Sequence, residues 1–169
     1  MSWSVWLGLS SAEGARVALL DIDLAGAEAV AAGLGGIALA CDVADEARAR
    51  AALDEAAERL GPARILVNCA GIGPSARIVG RDGPHDLALF RKVVDVNLVG
   101  TFNMMRLAAA RMQDLPPLED GERGVVVMTA SVAILERGQV LQMVGHIFAN
   151  SMLNGETIRL DAALRMGPR

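Results

Sequence analysis

Tyrosine is missing from this chain of 169 residues, so no phenol is available anywhere in it to give or take a proton. Lysine is nearly missing too. Lys92 stands alone, the arginines are scattered and the net charge is -4, which leaves no basic stripe for a phosphate backbone and excludes nucleic acid as a partner. No apolar run reaches the roughly 20 residues of a membrane span. The opening MSWSVWLGLSSAEGA lacks the positively charged start of a signal peptide, so no membrane association and a cytoplasmic location are expected. Cys41 and Cys69 lie in apolar, strand-like stretches without CxxC spacing and read as reduced thiols, neither ligands nor disulfide partners. His85 and His146 have no acid or second histidine at ligand spacing, so no metal site is expected. Low-complexity sequence is absent as well. With 53% hydrophobic and 21% charged residues, the chain reads as a single globular domain over residues 1–169. A domain of that size buries roughly 70% of its unfolded surface.

What is present is organised around Arg64 to Gly71, RILVNCAG. Ile65, Leu66 and Val67 have the pattern of a buried parallel strand, and the strand ends in the small tetrapeptide Asn68-Cys69-Ala70-Gly71. Ligands of open α/β sheets sit beyond the carboxyl ends of strands, where small side chains let a flat ring or a sugar approach the main chain. An ordinary turn after a core strand accounts for the same residues.

Around this stretch the pattern alternates. Residues 4 to 13 suggest a helix stub ending at Gly14; RVALLDID (16 to 23) reads as a strand, and LAGAEAVAAGLGG as a helix stopped by glycines at 33, 35 and 36. GIALACDV (36 to 43) is the next strand, followed by a helix within 44 to 60 closed by Gly61-Pro62. After RILVNCAG comes a polar loop from 72 to 84, a long helix from about Asp86 to Met112, and a fourth strand, GVVVMTASVA (124 to 133). The β-α-β-α-β-α-β order predicts an α/β fold, a Rossmann-like doubly wound parallel sheet.

Several residues stand where such sheets do chemistry. Asp21, at the end of the first strand, is placed to accept hydrogen bonds from ribose hydroxyls and to repel a 2′-phosphate, favouring NAD over NADP; a helix N-cap or a solvated acid explains it equally. Asp42-Val43 repeats the theme one strand later, a carboxylate beside an apolar contact of the kind an adenine ring needs. Ser131 follows the fourth strand and presents a hydroxyl at the same edge, or serves as simple turn chemistry. Asn97, polar within an apolar helix, bonds to local backbone or holds a water or a neighbouring side chain.

VNCAGIG, CDV, DVNLVGTFNMMRL, GERGVVVMTASVA and the ending NSMLNGETIRLDAALRM together resemble the short-chain dehydrogenase/reductase family, and within it the branch that acts on 3-hydroxyacyl-CoA thioesters and hydroxysteroids. The resemblance covers roughly residues 10 to 133 and 143 to 169. It implies NAD as cofactor, contacted by Asp21, Asp42, Val43, Asn68, Cys69, Ala70 and Gly71; Ser131 polarising the substrate oxygen; and Asn97 holding a water of a proton relay. It also implies a small-molecule substrate, an acyl-CoA or steroid-like alcohol, and a homodimer or homotetramer formed through the long helix and the terminal strand. Val93, Val94, Leu98, Phe102, Met105 and Leu107 supply apolar surface in excess of what one helix face buries.

Two departures qualify the match. The family opens with a strand and a TGxxxGxG turn that cradles pyrophosphate, and Met1 to Ala12 contains neither. After Ser131 the family proceeds to a Tyr-x-x-x-Lys pair, whereas here Val132 runs within about a dozen residues into the C-terminal segment. The expected sheet is therefore incomplete, with its first strand and part of its C-terminal half missing. Trp3 to Leu9 are joined to Arg16 by too few residues for a parallel crossover. The expected outcome is a gap closed by a partner chain, or direct pairing of residues 16 to 22 with 64 to 69. Hydride transfer at a useful rate is not expected, which leaves a non-catalytic binding or assembly module as the alternative to an enzyme.

Overall fold

The computed structural model describes residues 14–74, 76–119 and 121–129. The helix stub of 4 to 13, Trp3 to Leu9, Ser131, His146 and the C-terminal segment lie outside them. The described residues up to Met128 belong to one compact unit. In order they form β1 (Ala18–Asp21), α1 (Leu24–Leu34), β2 (Ile37–Ala40), α2 (Glu46–Leu60), β3 (Ile65–Asn68), β4 (Val79–Gly80), β5 (Gly83–Pro84), α3 (Leu87–Val94), a π-helical segment (Asp95–Gly100), α4 (Thr101–Met112) and β6 (Val125–Met128). Among the described residues no helix is long and apolar enough to cross a membrane.

Aspartates start the helices. Asp23, Asp45 and Asp86 each accept a backbone N–H of the first turn of α1, α2 and α3, satisfying donors that a helix leaves without partners. Asp21 is therefore not the cap of α1; its Oδ1 accepts the N–H of Asp23 at 2.8 Å, which holds the capping residue in place. Of the three glycines expected to stop α1, Gly35 does so, with φ +63°, while Gly33 remains helical.

β1 and β2 pair in parallel with Leu19 opposite Ala38 and Leu20 opposite Leu39, so alternate residues face opposite sides. Val17, Leu19 and Ala38 meet Ala27 and Ala31 of α1 on one side. On the other, Leu20, Ile37, Leu39 and Cys41 pack with Ala49, Ala52 and Leu53 of α2 and Met104 and Leu107 of α4. Helices on both faces of a parallel pair constitute the doubly wound arrangement.

β3 pairs in parallel with β6, Ile65 opposite Val125 through Asn68 opposite Met128. The two parallel pairs are separate two-stranded sheets, and no ladder joins residues 16 to 22 to 64 to 69 among the described residues. Among the described residues the sheet is therefore incomplete between these two pairs. RILVNCAG accordingly departs from the fully buried strand of the sequence reading: Ile65 is 40% exposed, and Leu66 and Val67 are half-buried. Two further elements differ from expectation. The loop 72 to 84 contains the antiparallel β4–β5 hairpin, turning through Arg81-Asp82 into Gly83. The long helix runs from 87 to 112 but changes to π geometry over Asp95–Gly100. Its apolar residues divide between two faces, Leu107 buried in the core and Leu98 and Phe102 exposed.

Candidate functional site

The parallel register sets Asp21 opposite Ala40, and the Cys41 N–H donates to Asp21 O at 2.9 Å, so Asp21 and Asp42 emerge at the same carboxyl edge of neighbouring strands. Asp21 is buried. Between them lies Cys41, a core residue; burial pushes its thiol up to about 11, and the charges of Asp42, Asp21 and Asp45 add to the rise. A thiol held neutral in this way packs as a small apolar residue.

The turn after β2 is tied at every residue. Asp42 Oδ1 accepts the Ala44 N–H at 3.0 Å, and Asp42 O accepts the Asp45 N–H at 3.1 Å. Val43 O accepts from Asn103 Nδ2 at 2.8 Å. Val43 itself lies against Gly100, where a β-carbon would fall 2.5 Å from Val43 Cγ2; glycine is what lets the helix approach. An open cleft of about 380 Å³ runs beside this turn, lined by Asp42, Ala44, Ala88, Arg91, Lys92, Asp95 and Val96. Lys92 thus stands near Asp42, carrying the only ammonium side chain in the sequence.

The second loop, after β3, is fixed by the same stretch of helix. Asn97 Oδ1 accepts the Ile72 N–H at 2.8 Å, and its Nδ2 donates to Ile72 O at 2.8 Å, a two-way clamp on the backbone just beyond Gly71. Of the uses open to Asn97 in the sequence, the structure displays backbone bonding, though to a distant loop and not to its own helix. Where the π segment passes into α4, the Thr101 N–H donates to Leu98 O three residues back, and the Thr101 hydroxyl donates to Asn97 O at 2.8 Å. Asn68 Nδ2 donates to Thr101 O at 3.3 Å, so the end of β3 is tied to the start of α4. Cys69 and Gly71 are half-buried and Ala70 is exposed. The His85 ring meets Asp86 O through Nδ1 at 2.7 Å, and its backbone N–H donates to Ile78 O at 2.8 Å beside the β4–β5 hairpin.

Residues 97 to 103 are therefore the ridge to which both loops are fastened, through Asn97, Gly100, Thr101 and Asn103. Asn103 escaped the sequence reading. The signal was available: like Asn97, it is a polar residue inside an apolar helical run, TFNMM. Ser131 lies beyond the described residues.

Three comparisons bear on this geometry. The sequence profile of short chain dehydrogenases matches residues 9–143. The chain is 41% identical over 145 residues to 3-hydroxyacyl-CoA dehydrogenase type-2 of Homo sapiens, covering 80% of this chain and 55% of that protein. It is 38% identical over 135 residues to D-threitol dehydrogenase of Mycolicibacterium smegmatis, covering 75% of this chain and 47% of that one. Among solved structures, 3-hydroxyacyl-CoA dehydrogenase type-2 from Mycobacterium avium superposes with a TM-score of 0.65 at 38% identity, over 73% of this chain and 49% of the other. The chain spans about half the length of the relatives it matches.

Proposed function

The chain belongs to the short-chain dehydrogenase family, and from that premise we propose that its β1–β2 edge holds the adenosine end of NAD in an oxidoreductase of the 3-hydroxyacyl-CoA or hydroxysteroid class. One observation carries the reading: the parallel register brings Asp21 and Asp42 to one carboxyl edge, with Val43 beside them. The donor set suits the ligand, since carboxylates accept from ribose hydroxyls and from an exocyclic amine, and the half-buried Val43 offers an apolar contact to a base. Negative charge at this edge disfavours a 2′-phosphate, hence NAD over NADP. The Asn68 to Gly71 loop, held by Asn97 and Thr101, is the support for the nicotinamide ribose. When bound, NAD supplies the hydride acceptor. Ser131 is the group assigned to the substrate oxygen, with a secondary alcohol as substrate by likeness to the relatives.

A second reading is favoured by one fact of composition, the tyrosine count of 0. Without the phenol that takes the alcohol proton in the family, the chain binds nucleotide and assembles through the exposed Phe90, Leu98 and Phe102 of its long helix, yet turns nothing over. A positioned acid-base group contributes about 10² to 10⁴ in rate, so turnover is expected to fall by at least that factor relative to the tyrosine-bearing family.

Calorimetric titration of the purified full chain with NAD, NADP and AMP tests the first reading. NAD and AMP are expected to bind more tightly than NADP, and equal affinity for NADP overturns the acidic edge. NADH formation with 3-hydroxyacyl-CoA thioesters and hydroxysteroids tests the second. Turnover that disappears on Ser131→Ala overturns the non-catalytic reading.

A further inference from the structure

Val43 owes its position to a chain of groups carried by α4. Asn103 is buried, and its two amide ends are used differently. Oδ1 accepts from Arg106 Nε at 3.2 Å and from a terminal guanidinium nitrogen of Arg106 at 2.8 Å, while Nδ2 donates to Val43 O at 2.8 Å. A guanidinium has donors and no acceptor, so Arg106 dictates which end of the amide faces it and leaves the NH2 group aimed at Val43 O. Arg106 is in turn bonded at 3.0 Å to Oε1 of Glu46, the first residue of α2, the helix that follows the Asp42-Val43 turn. The loop is therefore gripped twice from one helix, at Val43 O by Asn103 and at Glu46 by Arg106, and Gly100 removes the bulk that would otherwise hold Val43 away.

We propose that Asn103 is a positioning residue for base recognition: oriented by Arg106, it holds the Asp42-Val43 turn so that the Asp42 carboxylate meets the amino edge of a purine. The inference rests on the reading of this edge as an adenosine site. Asp42 has one carboxylate oxygen committed to the Ala44 N–H, which fixes the rotation of the carboxyl and leaves the other oxygen as an acceptor for a ligand. A 6-amino purine offers a donor to that acceptor; a 6-oxo purine offers a second acceptor and is disfavoured. Selectivity for adenine over hypoxanthine then depends on where the turn is held, and Asn103 is what holds it.

The test compares binding of AMP and IMP to the full chain. Wild-type protein is expected to prefer AMP by about tenfold, the scale of one well-placed hydrogen bond against a repelled acceptor. Asn103→Asp keeps the size of the side chain and its pairing with Arg106 but sets an acceptor against Val43 O. It is expected to bring the AMP to IMP ratio close to unity, whatever it does to stability. A role confined to stability lowers Tm and leaves the ratio untouched, and that result overturns the proposal. Failure of wild-type protein to bind AMP instead defeats the adenosine reading itself and takes this inference with it, so the two failures are distinct. Should Asn103→Asp not fold by circular dichroism, Arg106→Lys decides the matter. It keeps a cation near Glu46, loses the two-donor hold on Asn103 Oδ1, and is expected to reduce the ratio; an unchanged ratio overturns the proposal.

Discussion

The two parallel pairs start from similar strands and arrive at different environments. β1 and β2 are covered on both faces, by α1 on one side and by α2 and α4 on the other, and β2 passes into a turn bonded at Asp42, Val43 and Asp45. β3 and β6 have equally apolar sequences, ILVN and VVVM, yet Ile65 and Met128 are exposed and Leu66 alone of β3 reaches the central cluster. The difference lies in what covers a strand, not in what it is made of. An apolar strand sequence states a demand for burial; the neighbouring elements decide how far that demand is met.

The largest contrast is expected in stability. Leu39→Ala removes a side chain at the centre of the β2–α2–α4 cluster and is expected to cost about 2–5 kcal/mol in urea unfolding, transfer and cavity terms together. Ile65→Ala, at a site 40% exposed, is expected to cost about 1 kcal/mol. Equal costs would mean that β3 is as well packed as β2, and the contrast between the pairs would fail.

Cys41 and Cys69 probe the same contrast chemically. Cys41 is 3% exposed with its thiol pushed up to about 11, whereas Cys69 is half-buried in the loop after β3. Alkylation by iodoacetamide near neutral pH is expected to modify Cys69 first, with Cys41 reacting only as the protein unfolds. The sign of the pH effect follows. The unfolded thiol loses its proton near 9.0 and the folded one near 11, so the folded state holds the proton longer. The contribution to stability is complete below pH 9 and is lost as pH rises towards 11. A Cys41→Ala variant is expected to show a shallower alkaline loss; an identical slope would assign that loss to other groups.

The loop after β3 is fastened to the helix largely through one exposed side chain, and Asn97→Ala is expected to show what that hold is worth. It removes both bonds to Ile72 on an exposed side chain, at a cost of about 1–2 kcal/mol. Hydrogen exchange at the Ile72 amide is expected to accelerate while the amides of α2 keep their protection. Uniform acceleration would show that Asn97 supports the whole fold and not one loop.

Legibility in the sequence followed this division. The strand centres at 18–21, 37–40, 65–68 and 125–128 lie inside the four apolar runs, because short β-rich segments bounded by glycine and acids admit few other readings. The runs were read longer than the ladders, since Asp42 and Cys69 to Gly71 look strand-like beside their neighbours but pass into loops. Among the described residues the sheet is incomplete, as the sequence reading expected. What escaped were features set by tertiary partners. The π geometry at Asp95–Gly100 interrupts a run whose apolar pattern continues through it, so nothing local marks it. The β4–β5 hairpin includes Pro84, whose presence argues against a strand in any local reading. Asn103 carries a role defined by Val43, 60 residues earlier in the chain.

The smallest expected effect concerns Glu46, the outermost link in the support of the turn after β2. Its side-chain bonds to Arg106 and then to Arg50 hold its carboxyl below the ordinary 4.5. A carboxyl whose pKa falls on folding binds its proton less readily in the native state. Its contribution to stability is therefore present above pH 4.5 and fades as pH falls below that value and through the folded pKa. The group is fully exposed and solvent screens it, so the effect on unfolding is expected to be small and to shrink further with salt. Glu46→Gln keeps an acceptor for Arg106 without the charge. It is expected to leave Tm at pH 7 nearly unchanged and to flatten the acid limb slightly below pH 4.5. A large loss of Tm at pH 7 would show that the turn hangs on the Glu46 charge, and that the hold at Val43 O is the weaker of the two grips.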